Sequence, residues 1–327
     1  MICKICHNAD RNRALLVREM QFGSEEVFTY LECSVCGCLQ ISNPPSDSES
    51  PYPSNYVPFK KLKFRGNLPF VKAAAVKKRD QYTLFKKGII GRLINTAFGN
   101  SLLDLMGNAQ IRTDNSLLDL MGNAQIRPDS RVLDVGCGAG NLLDYLQDLG
   151  FTDLTGIDPY APVDIGSGPK ILRKTIGDLP HKYKFDVIIF NHSFEHLADQ
   201  LGALQKTSAL ISKNGVCLIA MPVKTEYIWD LYGTNWVQLD APRHYTIHTV
   251  KSFEVLLEET DLTLEHTVFN SGTFQFVGSE QYVRGISLTS EQKYAFNARR
   301  IRAFEKLAKQ LNLAGQGDQA TFCLRKN

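Results

Sequence analysis

A short stretch in the middle of the chain combines a buried strand, a glycine-rich loop and a helix in immediate succession. The apolar residues 132–135 are typical of a buried strand, and glycines follow at 136, 138 and 140. Helical spacing continues over 141–149, and Gly150 stands where a helix C-terminal cap is expected. This order is typical of the first unit of a doubly wound sheet, so the sequence predicts an α/β fold.

The residue that ends the next strand indicates what the glycine loop binds. Asp158 follows the strand pattern at 154–157 and can accept both hydroxyls of a ribose. A dinucleotide fingerprint would need a glycine at position 141, which is Asn. Asp134, inside the strand end, would repel a pyrophosphate but matches the ammonium and sulfonium of S-adenosylmethionine (SAM). SAM is therefore the better fit.

Five of the eight cysteines lie within the first 38 residues. Four of them form two Cys-x-x-Cys knuckles, Cys3 with Cys6 and Cys33 with Cys36, and Cys38 is a spare ligand. In a reducing compartment two such knuckles supply four thiolates to one tetrahedral zinc. We predict a zinc ribbon over 1–45 with a structural zinc, the alternatives being a redox pair or a knuckle without metal.

Residues 46–130 are expected to form a linker followed by a basic helical segment. Between Lys60 and Arg92 there are eleven Lys and Arg residues against one Asp, a local charge of +10. Such a run either attracts an anionic partner or is the solvated face of one or two helices. Residues 101–115 then recur as 116–130 with 13 of 15 positions identical, which indicates a local duplication.

The region from 131 to 327 resembles the class I SAM-dependent methyltransferases. Residues 132–140 resemble motif I of that family, Gly177-Asp178-Leu179-Pro180 its acidic motif, and 185–197 its fourth strand with the Glu-His-Leu signature. The resemblance implies a Rossmann-like seven-stranded mixed sheet in the order 3-2-1-4-5-7-6. It also implies SAM contacts from the following residues: Asp134, Gly136, Cys137, Gly138, Gly140, Asn141, Asp158, Pro159, Asp178, Leu179 and Asn191.

The methyl transfer that the resemblance implies depends more on positioning the acceptor against the methyl group than on covalent catalysis. The methyl group of a sulfonium is already activated, and a hydroxyl acceptor additionally needs a base. His192, Glu195 and His196 follow the fourth strand, and His244 lies in a segment that resembles a cover over the acceptor. We expect His192 or His244 to be the base; the alternative is that these side chains only brace the loop and the cover. His248 is expected to be peripheral.

The acceptor is less constrained than the cofactor. A cysteine ribbon followed by Asn-Pro-Pro-Ser and a Tyr-rich linker is similar to the N-terminal module of methyltransferases in sugar and polysaccharide biosynthesis. This implies a small-molecule or saccharide acceptor, nucleotide- or lipid-linked, whose phosphates the basic segment could meet. The segments after the fourth and fifth strands lack the motifs of adenine and cytosine methylation, which argues against nucleic acid. An RNA methyltransferase and a non-catalytic SAM- or partner-binding module remain alternatives.

The longest apolar stretch, 216–223, is shorter than the roughly 18 residues that a membrane-spanning helix needs. We therefore expect a cytoplasmic protein with at most peripheral membrane contact. The sequence does not set the oligomeric state.

Deleting residues 101–115 should leave a folded, active protein, because the second copy of the duplication can lead into the sheet by itself. Circular dichroism and thermal unfolding of the deletion variant test this expectation. Loss of the cooperative unfolding transition would show that both copies are needed.

Overall fold

The computed structural model describes residues 1–44, 60–61, 69–98, 115–161 and 168–326. The Pro- and Ser-rich linker and almost all of the first duplicated copy lie outside these residues. The strands are β1 (Arg13–Arg18), β2 (Val27–Glu32), β3 (Leu39–Ile41), β4 (Arg131–Val135), β5 (Asp153–Ile157), β6 (Lys170–Leu172), β7 (Phe185–Asn191), β8 (Ile211–Pro222), β9 (Thr246–Ile247), β10 (Leu262–Phe269) and β11 (Gln319–Lys326).

The helices alternate with the strands in the second half of the chain. They are α1 (Phe70–Phe85), α2 (Ile89–Phe98), α3 (Asn115–Asn123), α4 (Asn141–Leu149), α5 (Gln200–Leu210), α6 (Glu226–Tyr232), α7 (Val250–Leu257), α8 (Phe274–Val283) and α9 (Ala298–Leu313). No helix of the described residues is long and apolar enough to cross a membrane.

The larger sheet has seven strands in the order β6-β5-β4-β7-β8-β11-β10. Counting these strands along the chain gives 3-2-1-4-5-7-6, so the predicted order is confirmed. β4 is parallel to both β5 and β7, with Val135 opposite Ile157 on one side and Phe190 on the other. Most of the buried residues of these strands are apolar, because parallel strands are covered on both faces.

The smaller sheet has four strands in the order β1-β2-β3-β9. The first three come from the cysteine-rich N-terminus, but β9 lies about two hundred residues later in the chain and pairs antiparallel with β3, Leu39 opposite Ile247. The buried Tyr30 hydroxyl donates to the His244 carbonyl at 2.7 Å. No local sequence pattern predicts that a distant segment completes the N-terminal sheet.

The described residues divide into two compact units. The cysteine unit contains the described residues of Met1–Pro51, His192–Leu204 and Ala220–Phe322. Its core packs the first strands against the segment that includes the fully buried Trp236. The glycine-loop unit contains those of Tyr52–Asn191, Gln205–Ile219 and Cys323–Asn327.

Within the basic segment the chain forms two helices, α1 and α2. Some of the segment's positively charged side chains form ion pairs within the glycine-loop unit: Arg79 is buried beside Asp80, and Lys77 contacts Asp148 at 2.7 Å. The Tyr145 hydroxyl also donates to Asp80. These pairs leave less of the +10 charge available for an anionic partner than the sequence suggested.

The last helix, α9, starts at Ala298 and leads to the final strand. The Asn297 side chain accepts a hydrogen bond from the backbone N–H of Arg300 at 2.9 Å, which caps the helix and sets its start.

Candidate functional site

The glycine loop after β4 has a backbone that ordinary residues rarely adopt. Gly136, Gly138 and Gly140 have φ values of 76°, 53° and 78°, in the left-handed region. The backbone N–H groups of Gly136 and Cys137 donate to the Ile157 carbonyl at 2.8 and 3.2 Å. The loop therefore folds back onto the end of β5, as its glycine spacing requires.

Two buried carboxyl groups flank this loop. Asp158 accepts a hydrogen bond from the Gly138 N–H at 2.9 Å and another from the Tyr160 N–H at 2.7 Å. Asp134, at the end of β4, is buried as well. Its burial, reinforced by the charge of Asp158, raises the pKa of Asp134 to about 7. A cation bound beside Asp134 would favour its ionised form.

The other predicted cofactor residues of this unit have varied environments. The Cys137 side chain fills the space above Gly156, where an added Cβ would lie 2.6 Å from its sulfur, and burial raises the pKa of the Cys137 thiol. Asp178 is exposed and accepts from the Thr175 N–H and hydroxyl, each at 2.8 Å. The remaining four are the exposed Pro159, the buried Leu179, and the partly exposed Asn141 and Asn191.

In the cysteine unit, Glu195 is surrounded by histidines. It lies in the 3₁₀ turn Phe194–His196 and is 1% exposed. Its Oε1 is 3.6 Å from His192 Nδ1 and 3.9 Å from His244 Nε2. Burial opposes ionisation, but the three nearby imidazoles outweigh it and lower the pKa of Glu195 to about 2. The structure thus brings together the four residues that the sequence analysis proposed for catalysis.

His192 combines an unusual backbone with an unsatisfied side chain. Its φ is 53°, and neither ring nitrogen has a hydrogen-bond partner among the described residues, although both are buried. Buried polar atoms without partners and left-handed non-glycine residues are both uncommon, and both concentrate at functional sites. The two ring nitrogens of His192 are therefore candidates for hydrogen bonds to a bound ligand.

His196 and His244 are held in fixed orientations. The His196 Nδ1 lies 2.8 Å from the Arg243 carbonyl, and the His244 Nδ1 lies 2.7 Å from the Gln238 carbonyl. Since a carbonyl only accepts, each Nδ1 is the protonated nitrogen. Burial, with a contribution from His196, lowers the pKa of His244 to about 4, so this imidazole is neutral near pH 7.

Arg243 was not among the predicted site residues, but it braces the segment that carries His244. Its guanidinium is buried between Glu19, at 2.7 Å, and Asp240, at 3.0 Å. The only sequence signal was its position next to His244. His248, which was expected to be peripheral to the chemistry, is fully buried, and its ring nitrogens bond Ser252 and Gln200, each at 2.9 Å.

The four knuckle cysteines converge at one point. Their sulfurs all lie within 4.8 Å of one another, with Cys3 to Cys36 at 3.7 Å and Cys6 to Cys33 at 3.5 Å. A tetrahedral zinc with bonds of about 2.3 Å places its sulfurs roughly 3.8 Å apart, whereas a disulfide needs about 2.05 Å. Cys38 is 3.6 Å from Cys3 and could replace a ligand. The spacing fits zinc.

A protein-family model described as "Methyltransferase domain" matches residues 110–267. This chain carries a SAM-dependent methyltransferase domain. The match begins before β4 and ends within β10, and therefore includes the glycine loop, the Glu195 turn and His244. A search of curated proteins gave no match.

Solved structures with a similar fold include several methyltransferases. A candidate sarcosine dimethylglycine methyltransferase from Galdieria sulphuraria has a TM-score of 0.47 at 17% identity, over 67% of this chain and 87% of that one. A SAM-dependent methyltransferase from Archaeoglobus fulgidus has a TM-score of 0.38 at 21% identity, over 61% and 86%. Geranyl diphosphate C-methyltransferase from Streptomyces coelicolor has a TM-score of 0.43 at 15% identity, over 65% and 78%. These similarities are too weak to assign an acceptor to the methyltransferase domain.

Replacing Asp134 by Asn should stabilise the ligand-free protein at pH 8 by up to about 4 kcal/mol, the free energy that corresponds to about 3 pKa units. A carboxyl whose pKa is raised in the folded state stabilises fully below its ordinary pKa and loses that contribution as the pH rises through 7. Asparagine does not ionise, so the gain should be smaller at pH 5. Urea unfolding at both pH values measures it.

Asp153→Asn is the control for this measurement, because Asp153 is an exposed carboxyl on the neighbouring β5. It should change the free energy of unfolding by less than about 0.5 kcal/mol. An equal effect of Asp134→Asn at pH 5 and pH 8 would contradict the raised pKa.

Proposed function

We propose that this methyltransferase transfers the SAM methyl group to a hydroxyl of a small-molecule acceptor, a saccharide carried on a nucleotide or lipid, with His192 as the base. The observation that carries the proposal is the state of His192, whose two buried ring nitrogens have no hydrogen-bond partner among the described residues and which lies 3.6 Å from the carboxylate of Glu195. An acceptor hydroxyl would supply the hydrogen bond that His192 lacks.

The proposed cofactor site lies in the glycine-loop unit. The loop of Gly136, Gly138 and Gly140 leaves room for the ligand, Asp158 receives the ribose hydroxyls, and Asp134 faces the positive end of SAM. The further contacts are assigned to Cys137, Asn141, Pro159, Asp178, Leu179 and Asn191. The parallel pairing of β4 with β7 supports this set, because Gly136 and Asn191 leave the sheet at the same edge.

The proposed reaction is an in-line displacement. When bound, SAM would supply an activated methyl group. The acceptor oxygen would give its proton to His192 as it bonds to the methyl carbon, and S-adenosylhomocysteine would leave as the carbon–sulfur bond breaks. Glu195 stabilises the imidazolium that forms on His192. His244 is less suited as the base, because burial lowers the pKa of its imidazole to about 4, which makes it a weak proton acceptor near pH 7.

Two observations support a saccharide acceptor. The polar cluster of Glu195 and its histidines offers several partners for a hydroxyl-rich molecule. The N-terminal module resembles that of saccharide-modifying methyltransferases. RNA is the second candidate because of the basic helices, but Lys77 and Arg79 already contact acidic groups of the protein.

We also propose that Cys3, Cys6, Cys33 and Cys36 hold a structural zinc ion in a ribbon over 1–45, followed by a linker to 130 and a catalytic domain over 131–327. The sulfur spacing supports this ligand set, and so do the polar groups around it. The Ile5 N–H approaches the Cys3 sulfur at 3.4 Å, as is common for metal thiolates.

His192→Gln should lower kcat by a factor of about 10² to 10⁴, the usual contribution of a general base, with the SAM dissociation constant changed less than threefold. Transfer of labelled methyl from SAM to nucleotide-linked hexoses, lipid-linked saccharides and RNA identifies the acceptor. Calorimetry with SAM measures binding on the same protein.

The matched control is His266→Gln, which changes an exposed histidine on β10 and should retain full activity. Methyl transfer by His192→Gln at the unaltered rate would exclude His192 as the base. Failure to bind SAM would contradict the cofactor site and favour a partner-binding module.

Cys33→Ser should release the proposed structural zinc and lower the thermal unfolding temperature, because three thiolates hold the ion more weakly than four. Zinc content by mass spectrometry and a thermal scan measure both effects. Cys217→Ser, a buried cysteine in β8, is the control and should retain the zinc. Equal zinc content in the two variants would exclude Cys33 as a ligand.

A further inference from the structure

We propose that Glu195, His196 and His244 form a second metal site, separate from the cysteines, for a divalent cation that accepts nitrogen and carboxylate ligands, such as Zn²⁺ or Co²⁺. One ligand atom from each of the three residues lies within 4.8 Å of the other two. Metal binding by these residues does not depend on the proposed function, whereas its role in the reaction would rest on it.

The distances are compatible with coordination. A tetrahedral ion with bonds of about 2.1 Å separates its ligand atoms by roughly 3.4 Å. Glu195 Oε1 and His244 Nε2 are 3.9 Å apart, and the rings of His196 and His244 meet edge to face with centroids 4.7 Å apart. Side-chain rotations that bring the ligand atoms from within 4.8 Å of one another to about 3.4 Å would place all three on one ion.

Both histidines have the hydrogen bond that orients a metal ligand. A ligating imidazole usually donates its other N–H to a carbonyl or carboxylate, which fixes the tautomer. Here the Nδ1 of His196 donates to the Arg243 carbonyl and the Nδ1 of His244 to the Gln238 carbonyl. In each ring the remaining nitrogen, Nε2, is therefore the one with a lone pair.

The cluster of Glu195, His196 and His244 brings several electron-rich atoms together, an arrangement that a cation would stabilise. The lone pair of His244 Nε2 faces Glu195 at 3.9 Å and Asp240 at 3.8 Å, so acceptor atoms point at one another. Glu195 Oε2 is buried and has no hydrogen-bond partner among the described residues. A buried carboxylate oxygen without a partner costs several kcal/mol, and a divalent cation would remove that cost.

The ligand set of two imidazoles and one carboxylate indicates which class of metal ion would bind. Nitrogen ligands favour Zn²⁺ and related transition-metal ions, whereas Mg²⁺ and Ca²⁺ prefer all-oxygen sites. Three protein ligands also leave a coordination position open, in contrast to the four-cysteine set. The acceptor hydroxyl would occupy that position, where the cation would promote loss of its proton to His192.

The test loads the full chain with Co²⁺ after removal of bound metal by a chelator. Cobalt bound by cysteines gives thiolate charge-transfer absorption in the near ultraviolet, which nitrogen- and oxygen-bound cobalt lacks. We expect Glu195→Gln and His244→Gln each to bind about one equivalent less cobalt than the unaltered chain, with the charge-transfer band unchanged. The unchanged band also shows that the variants retain the folded cysteine cluster.

Two control variants sharpen the result. His266→Gln, on exposed β10, should bind as much cobalt as the unaltered chain. His192→Gln should also retain all the cobalt while losing methyl transfer, because His192 is adjacent to the three ligands without belonging to them. The cobalt content and methyl transfer of these two variants together distinguish a loss of metal binding from a loss of catalysis.

The proposal is overturned if Glu195→Gln binds as much cobalt as the unaltered chain, or if all the bound cobalt in the unaltered chain is thiolate-ligated. In either case methyl transfer by the metal-stripped protein would leave the proposed function intact. The opposite result, in which the chain binds the additional equivalent of cobalt but not SAM, would support the metal site and contradict the proposed function.

Discussion

The buried guanidinium of Arg243 is the interaction on which the cysteine unit depends. It bonds Glu19, just after β1, and Asp240, in the segment before β9, and all three side chains are less than one-tenth exposed. Removing one partner of such a buried ion pair typically costs about 3–5 kcal/mol, because the other charge is left uncompensated. Arg243 thereby fixes the backbone on which His244 is carried.

Close to Arg243 in the chain, two backbone hydrogen bonds of Tyr245 connect the N-terminal strands to the Glu195 turn. The Ile41 N–H donates to the Tyr245 carbonyl at 2.9 Å, and the Tyr245 N–H donates to the Glu195 carbonyl at 2.8 Å. Thr249 extends the connection, since its hydroxyl bonds the Cys36 carbonyl at 2.7 Å. The cysteine cluster is therefore a support for the histidine-bearing loop and not a separate appendage.

Asp134 and Glu195, two buried carboxyl groups in different units, have opposite pKa changes. Burial and a neighbouring carboxylate raise the pKa of Asp134 to about 7, whereas three imidazoles lower that of Glu195 to about 2 despite its burial. Asp134 gains from a cationic ligand, as SAM would be. Glu195 is ionised across the neutral pH range and is suited to stabilising positive charge, whether on an imidazolium or on a metal ion.

The sequence by itself determined the strand–loop–helix at 131–150 and the paired knuckles, because glycine conformations, apolar periodicity and ligand spacing are local properties. The seven-strand order followed from the resemblance to the methyltransferase family and not from a local pattern. Only the tertiary structure decided that β9 completes the N-terminal sheet, that Arg243 pairs with Glu19, and that His248 is buried. These contacts join residues that are distant in the chain, and their partners follow from packing, which no local pattern encodes. For the same reason the grouping of Glu195 with His244 became visible only in the folded chain.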